Sequence, residues 1–475
     1  MVINVYLILY KGVPYFNYIS LFLTLVFIAF VRLDTYLLII VFLTPLSIPL
    51  RELFSGLDYD MWLPTEPLLV GLLLIFLLKW IKGEKLDSKL LRHPVSIAIF
   101  FSLFWIFFTS ISSTMFVVSI KFFFSRIWFV IPFYFVAAQM FKNKENMKKY
   151  LWCYLLALLI VISYTLSRHA SFGFMDENAA HSVMNPFYTD HTSYGAILAM
   201  MIPVTAGFIF NNSFRPVVRM AAALILGILA VAMVFSYTRA AWLSLMIAGI
   251  ILVVLILRIR FSILLIIGII GIIFVINKAD LIALKIEENR NRSTSELSKH
   301  LSSMSDVSTD ASNLERINRW SCAVRMFMEK PLLGWGPGTY MFQYAPFQVT
   351  REKTRISTNA ANRGNAHSEY LGPLAESGLF GLLSFLLIVI FTLYTGVKTF
   401  ANATDRNDRI LVTSVFLGLI TYYIHGFLNN FLDMDKASAL FWGFTALIVA
   451  MDISQRSKSK SNEALKNSEK FDTQD

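Results

Sequence analysis

The residues best suited to chemistry lie in the second half of the chain, and His367 is the first of them. It stands in the polar segment that precedes the apolar run 372–397. An imidazole titrates near neutral pH and can take a proton from a hydroxyl group. On a helix, His367 and Leu371 would share one face, while Glu369 and Glu376 would share another. The alternative is a polar residue that only opens a membrane helix at the level of the lipid headgroups.

Three arginines are the second set of candidates, because a guanidinium group can hold two phosphate oxygens at once. Arg239 stands between two apolar runs, in Phe-Ser-Tyr-Thr-Arg-Ala-Ala-Trp. Arg316 and Arg319 lie in a segment with helical periodicity, Leu314–Lys330, that Pro331 closes. The alternatives are an Arg239 side chain that reaches the lipid headgroups and a solvated helix face that carries the other two.

Weaker candidates lie nearer the N-terminus. Lys121 and Arg126 stand inside the apolar run 117–140, where a charged residue is a functional candidate by default. His191 opens a run of small residues and is either a ligand for lipid phosphate or a polar helix cap. No His-Glu-x-x-His, Cys-x-x-Cys or Walker A sequence occurs. The sequence therefore predicts no metal ion, no other cofactor and no ATP-driven transport.

The elements that position these residues must be membrane helices. Of the 475 residues, 56% are hydrophobic and only 15% are charged, and the mean hydropathy is +0.61. Soluble domains average about 25% charged residues. Two cysteines cannot form a disulfide scaffold. The composition as a whole therefore excludes a disulfide-rich secreted protein, a disordered chain and a soluble Rossmann-type enzyme. The net charge of +11 is interpreted as loop asymmetry and not as a nucleic-acid-binding surface.

Thirteen apolar runs are long enough to be candidate transmembrane helices, or twelve if the first two are counted as one. Only helices are compatible with their length and lack of alternation. The runs cover residues 16–32, 35–50, 67–82, 95–112, 118–140, 150–167, 192–211, 217–235, 240–257, 261–277, 372–397, 410–428 and 435–452. The fold class is therefore all-α, a polytopic integral membrane protein.

The distribution of basic residues predicts the orientation of the chain. Alternate short loops carry seventeen Lys and Arg residues against four in the opposite set, and the richer set is predicted to be cytoplasmic. The long loop 278–370 then lies outside, with a flexible stretch predicted at Asn291–Asn313. We divide the chain into an N-terminal transmembrane bundle (1–277), this periplasmic loop, C-terminal helices (371–452) and a disordered, basic cytoplasmic tail (453–475).

Three stretches, in order, resemble the signatures of the O-antigen ligase and polymerase family of bacterial envelope glycosyltransferases. They are Ser236-Tyr-Thr-Arg239, then Arg316-Ile-Asn-Arg-Trp320 with Pro331-Leu-Leu-Gly-Trp-Gly-Pro-Gly338, and then Asn365-Ala-His367 through Glu376 and Gly378. The resemblance spans residues 236–381, whereas the N-terminal half agrees only in hydropathy. Thr-Arg-Ala replaces the usual Ser-Arg-Gly, which keeps the guanidinium group but changes the residues that shape the local backbone.

The resemblance implies a fold like that of C-type glycosyltransferases in the bacterial inner membrane, with the active site facing the periplasm. It implies metal-independent, inverting transfer of a glycan from undecaprenyl diphosphate to lipid A–core. His367 would be the base, and Arg239 and Arg316 would hold the diphosphate. Further substrate-binding candidates are Arg319, Lys121, Arg126 and His191.

Three alternatives remain open from the sequence. An O-antigen or exopolysaccharide polymerase would use a second lipid-linked repeat unit as acceptor, and a protein O-oligosaccharyltransferase would use a protein. A transporter of lipid-linked glycans belongs to another class. It should show repeat symmetry between its halves and charged residues in a central cavity. Here the long loop occurs in one half only, and the polar residues gather at the predicted outer face.

Overall fold

The computed structural model describes residues 24, 27–53, 61–257, 304–353, 357 and 364–472. Twelve main helices occur in these ranges: α1 Leu33–Leu43, α2 Thr65–Ile81, α3 Pro94–Ile111, α4 Phe116–Met140, α5 Lys144–Phe172, α6 His191–Phe210, α7 Pro216–Phe235, α8 Arg239–Ile256, α9 Met304–Glu329, α10 Leu371–Asn402, α11 Arg406–His425 and α12 Asp435–Asp472. Short helical pieces are Thr44–Leu46, Leu50–Leu53, Ser88–Leu91, Glu177–Ala180, Tyr340–Gln343, Ala345–Phe347 and Thr350–Glu352. The described strands are β1 Ile48–Pro49 and β2 Trp62–Leu63, which pair antiparallel.

The predicted all-α polytopic membrane fold is confirmed. Within the described ranges, eight helices are long and apolar enough to cross a membrane: α3, α4, α5, α6, α7, α8, α10 and α12. The predicted spans 35–50, 67–82 and 410–428 correspond to α1, α2 and α11, which are shorter or less apolar. The predicted spans 16–32, in most of its length, and 261–277 lie outside the described residues.

Helix α12 forms the centre of the bundle, because 83% of its most apolar stretch is buried, against 22% for α8. Two tyrosines of α5 fix the position of α12 along its helix axis. Tyr150 donates to the carbonyl of Ala439 at 2.7 Å, and Tyr154 donates to that of Lys436 at 3.0 Å. Helices α10 and α11 pack against α12 on other sides. The N-terminal ends of α10 and α12 are thereby held in a fixed relation to α11.

Helix α10 is interrupted at Gly378, whose φ of 68° and ψ of −164° are not helical. The turn 331–338 fills the break. Trp335 N–H donates to Ala375 O at 3.2 Å, Gly336 N–H donates to Glu376 O at 2.7 Å, and Leu379 N–H donates to Pro331 O at 2.8 Å. These bonds replace the lost helical ones, which a helix near the membrane requires.

Glycine is needed on both sides of this contact. A Cβ at Gly334 would lie 2.3 Å from the backbone carbon of Glu376, and a Cβ at Gly378 would lie 2.2 Å from the oxygen of Leu332. Both glycines also have positive φ values, which disfavour other residues. The glycine-rich turn 331–338 therefore attaches the long loop to α10 at the break around Gly378.

Two sequence expectations about helix length were wrong. Helix α9 begins at Met304, ten residues before the predicted start, and so includes part of the predicted flexible stretch. Helix α12 continues to Asp472, whereas the tail was predicted to be disordered. In both cases one part of the helix is packed on the protein, and adding residues to an existing helix costs much less than nucleating one. Helix α9 ends at Glu329, in front of Pro331, as predicted.

Candidate active site

Five separate parts of the chain meet at one end of the bundle. Thr238, just before α8, donates through Oγ1 to the carbonyl of His191 at 2.8 Å. Trp320 of α9 donates through Nε1 to the carbonyl of His367 at 3.3 Å. Glu369 N–H donates to the carbonyl of Gly426, directly after α11, at 2.8 Å. The residues of the predicted signatures are thus held beside the start of α6 and the end of α11.

His367 does not lie on a helix, contrary to the expectation that it shares a face with Leu371. Helix α10 begins four residues later, and His367 itself has a φ of +47°. That left-handed conformation is uncommon for a residue with a side chain and often marks a functional position. It is held by Asn365, whose Oδ1 accepts from His367 N–H at 3.1 Å, and by Trp320. The imidazole of His367 forms no hydrogen bond within the described part of the chain.

The charges around His367 keep its imidazole neutral. Burial lowers the pKa of His367 to about 4, the nearby Arg316 and Arg319 lower it further, and Asp190 and Glu315 act in the opposite direction. Burial also lowers the pKa of Arg316, but an arginine remains cationic at any physiological pH. At neutral pH the structure therefore presents an uncharged imidazole beside fixed positive charge.

Arg316 and Trp320 are one helical turn apart on α9, so the spacing of the motif places both on the face that meets the His367 segment. Arg316 is half-buried and influences both His367 and Asp190 electrostatically. The structure therefore brings this predicted diphosphate-binding residue next to the predicted base. The alternative for Arg316, a position on a solvated helix face, does not agree with this half-buried position.

Arg319 is buried, with 4% of its surface exposed, and it is held mainly by its own helix. Its Nε lies 2.6 Å from Glu315 Oε1, and its guanidinium group lies 3.9 Å from the ring centre of Tyr344. A Cβ at Gly364 would lie 1.3 Å from Nη1, so the segment before His367 passes directly over this group. Nη1 has no hydrogen-bond acceptor among the residues that the structure describes. Arg319 thus supports the site and leaves one donor atom unused.

Arg239 is the first residue of α8, and its side chain is exposed. Among the described residues it forms no hydrogen bond or ion pair. Its position is nevertheless fixed, because Tyr237 has a φ of +49° and Thr238 bonds to His191. Gly195 of α6 allows this approach, since a Cβ there would lie 2.6 Å from the Thr238 hydroxyl oxygen.

His191 belongs to the site, in the company of two residues that sequence reasoning missed. Its ring stacks on that of His181 with centres 4.1 Å apart. Asp190 caps α6 through Oδ1, which accepts from Ser193 N–H at 2.7 Å and from the Thr192 hydroxyl at 2.6 Å. The sequence does carry a signal for Asp190, because Asp followed by Thr and Ser is typical of a helix start. No local signal identifies His181.

His425, at the end of α11, is a third missed residue of the site, and 1% of its surface is exposed. Its Nε2 lies 3.1 Å from the amide nitrogen of Asn429. An amide nitrogen only donates, so we assign the proton of the imidazole to Nδ1. Nδ1 is buried and has no partner in the structure. Leaving a buried donor unpaired costs about 1–3 kcal/mol, which is the reason such atoms usually face a ligand or water.

Arg126 and Lys121 do not contact this cluster. Arg126 donates to the carbonyl of Leu432 at 3.2 Å and to Asp433 Oδ1 at 2.8 Å. Lys121 is exposed on the surface of α4. Their role in a groove for lipid phosphate stays a prediction, and for Arg126 the observed contacts are those of a residue that anchors the loop between α11 and α12.

Two glutamates of the His367 segment are structural supports. Glu369 Oε1 accepts from the Tyr422 hydroxyl at 2.6 Å and from the N–H groups of Phe431 and Leu432 at 2.7 and 2.9 Å. Burial raises the pKa of Glu369 to about 7. Glu376 Oε1 accepts from Tyr340 N–H at 2.9 Å, so it orients the neighbouring turn. Both residues hold the loop segments that surround the site.

Comparison with known families identifies the region that carries this site. Residues 222–386 match a family model described as O-Antigen ligase. The matched range contains Arg239, Arg316, Arg319 and His367, whereas Asp190, His191 and His425 lie outside it. No curated protein matches the chain. Among the described residues, no group of three His, Cys, Asp or Glu side chains could hold a metal ion.

Proposed function

We propose, from the O-antigen ligase domain that this chain carries at residues 222–386, that the protein is a membrane glycosyltransferase. It would transfer a glycan from undecaprenyl diphosphate to an acceptor hydroxyl group, in the bacterial inner membrane and on its periplasmic side. The observation that carries the proposal is the neutral, unpartnered imidazole of His367 beside the guanidinium group of Arg316. A base and a diphosphate ligand are the two groups that this reaction needs.

The chemical step is a displacement at the anomeric carbon. The acceptor oxygen forms a bond to that carbon while His367 takes the hydroxyl proton. The bond between the anomeric carbon and the diphosphate oxygen breaks, and its electron pair leaves with undecaprenyl diphosphate. Because the base and the leaving group lie on opposite sides of the carbon, the configuration inverts. No redox partner and no metal ion is required for the atoms and electrons to balance.

Arginines would stabilise the negative charge that grows on the leaving diphosphate. Arg239 has an exposed guanidinium group with no partner in the described chain, and Arg316 is half-buried beside His367. Fixed donors in a site with little water stabilise such a charge without reorganisation, which makes this one of the larger contributions to catalysis. The Nδ1–H group of His425 is a further free donor near Arg316 and Asp190. We assign it to an oxygen of the bound substrate.

Lipid A–core is the acceptor that we prefer, which makes the protein an O-antigen ligase. The first test is an electrophoretic analysis of envelope glycans from a deletion strain. The strain is complemented with the wild-type gene or with His367→Ala. We expect wild type to restore long chains on lipid A–core, and we expect His367→Ala to leave lipid-linked polymer accumulating although the protein is inserted and expressed normally.

Other outcomes of the same experiment select other acceptors. Core that carries a single repeat unit would identify a polymerase. An unchanged lipopolysaccharide pattern with lost glycoprotein staining would identify a protein O-oligosaccharyltransferase. Normal glycan display with His367→Ala would remove the proposed base. If deletion changes none of these products, glycosyl transfer is wrong and a transporter of lipid-linked glycans becomes the better hypothesis.

A further inference from the structure

A large crevice opens at the end of the bundle opposite His367. It lies between the C-terminal halves of α6, α8 and α10 and the N-terminal half of α11, and its volume is about 930 Å³. Its walls are mostly apolar, with Phe210, Leu252 and Phe400 among them. Gly249 borders open space, because a Cβ there would meet no atom within 4 Å. The crevice is therefore a ready site for hydrocarbon chains.

Among the described residues that line this crevice, the positively charged ones lie at one end. Arg406 and Arg409, in the first turn of α11, both line it. Arg406 is exposed and forms no ion pair in the described chain. Arg409 is steadied by a bond from Nη2 to the carbonyl of Ala403 at 2.5 Å. The neighbouring Asp408 is already paired with Lys144, so it does not neutralise the two arginines.

One wall of the crevice is closed because α6 and α11 pack closely against each other. A Cβ at Gly207 would lie 2.6 Å from Ser414 Cβ, so α6 and α11 touch directly along one wall. The space therefore lies between α8 and the ends of α10 and α11, open towards the surroundings of the bundle. An elongated apolar ligand with a charged end fits this shape, whereas a free anion would use only its rim.

We infer that this crevice binds an anionic glycerophospholipid, with the acyl chains between α8 and α10 and the phosphate group at Arg406 and Arg409. The charge pattern of the loops predicts that this end faces the cytoplasm. Basic pockets between transmembrane helices on that side are known sites for anionic headgroups. Charge complementarity selects an anionic lipid over a zwitterionic one. The inference does not depend on the proposed glycosyl transfer.

The test is lipid retention by the purified protein in detergent, measured by native mass spectrometry and by thermal unfolding. Phosphatidylglycerol and phosphatidylcholine of the same chain length are the probes. We expect phosphatidylglycerol to be retained and to raise the unfolding temperature, and phosphatidylcholine to do neither. Replacing both residues, Arg406→Gln with Arg409→Gln, should weaken phosphatidylglycerol binding about fivefold for each arginine.

Two further variants separate the crevice from general surface charge. Arg92→Gln removes an exposed arginine from another loop at the same predicted face and should leave binding unchanged. Gly249→Phe fills the open space and should abolish binding although both arginines remain. Equal retention of the two lipids would overturn the inference. The inference would also be overturned if phosphatidylglycerol still bound both to the double arginine variant and to Gly249→Phe. The same holds if an equal amount of a polyprenyl phosphate displaced phosphatidylglycerol.

Discussion

Each end of the bundle contains histidines, but they differ in how many hydrogen-bond partners their ring nitrogens have. At the predicted cytoplasmic end, His93 Nδ1 accepts from Val95 N–H at 3.2 Å, and its Nε2 lies 3.3 Å from Asp452 Oδ2. Arg456 also contacts this carboxylate, at 2.6 Å. At the other end, the imidazole of His367 has no hydrogen-bond partner among the described residues, and one nitrogen of His425 has none there either.

From this difference we infer that His93 holds the fold, and we propose that His367 and His425 meet a ligand. Burying a polar group without a partner is costly, so a group whose task is structural should be satisfied by the chain itself. His93 and Asp452 meet that condition. The imidazoles of His367 and His425 do not, within the described part of the chain. Both lie at the end where the O-antigen ligase signatures converge.

The largest expected effect is the loss of His367. Both His367→Ala and His367→Gln should reduce the rate of glycan transfer by about 10²–10⁴-fold, because neither side chain can take the acceptor proton. The measurement is transfer by purified protein from an undecaprenyl diphosphate-linked glycan. The glutamine variant keeps polarity and approximate size, so its full activity would show that His367 only fills space at this end.

Arg239 should give the next largest effect. Lysine keeps the positive charge but lacks the two-pronged geometry of a guanidinium group, so Arg239→Lys should reduce transfer by about tenfold or more, and Arg239→Gln further. The unfolding temperature should stay unchanged, because the side chain is exposed and has no partner in the described chain. If Lys supports full transfer, a plain positive charge suffices and the bidentate role is wrong.

His425 allows a finer test, because two amides can replace its two nitrogens separately. The amide nitrogen of Asn stands near the place of Nδ1, and that of Gln near the place of Nε2. His425→Asn should therefore keep most activity, whereas His425→Gln and His425→Phe should lose about tenfold, which is typical of one hydrogen bond to a charged group. Equal losses in all three variants, with lowered unfolding temperatures, would make His425 a packing residue like His93.

Residue spacing predicts which side chains of the site share a helix face, but it does not predict that the separate segments meet at one site. Arg316 and Trp320 are four residues apart, which on a helix places both on one face. The same spacing joins Glu315 to Arg319, so the buried ion pair could in principle be predicted, although the sequence predicted for Arg319 only a substrate-binding role or a place on a solvated helix face. Local periodicity identifies a segment as a helix, and this prediction was correct for α9 except for the residue at which the helix begins.

The positions that sequence reasoning missed depend on contacts between distant parts of the chain. His425 lies 58 residues beyond His367, and tertiary hydrogen bonds such as those from Glu369 N–H to Gly426 O and from the Tyr422 hydroxyl to Glu369 Oε1 bring its helix end to the site. The left-handed backbone at His367 is held partly by the local contact with Asn365 and partly by Trp320 of α9, and the second contact cannot be predicted from the local sequence. Local patterns specify elements, whereas tertiary contacts decide which polar atoms remain unused.

The lowered pKa of His367 predicts a smaller effect, on the pH dependence of transfer, and the direction of that effect is definite. Only the neutral imidazole can accept a proton, and the pKa of His367 is lowered to about 4, mainly by burial and then by Arg316 and Arg319. Transfer should therefore be insensitive to His367 between pH 8 and about 5 and should fall as the pH drops through about 4. In Arg316→Gln one lowering charge is lost, so the residual activity should fall at a higher pH. An acid limb near 6.5 in the wild type would contradict the buried, positively charged surroundings.

The smallest effect on transfer is expected at the other end. His93→Gln removes the ring nitrogen that accepts from Val95 and changes the contact with buried Asp452, which should cost about 1–3 kcal/mol of stability. Transfer per folded molecule should nevertheless match the wild type, since His93 lies at the opposite end of α3 from the site. Thermal unfolding and the transfer rate of the same preparation measure the two quantities together. A loss of transfer without a loss of stability would mean that full satisfaction of polar atoms does not mark a structural residue in this protein.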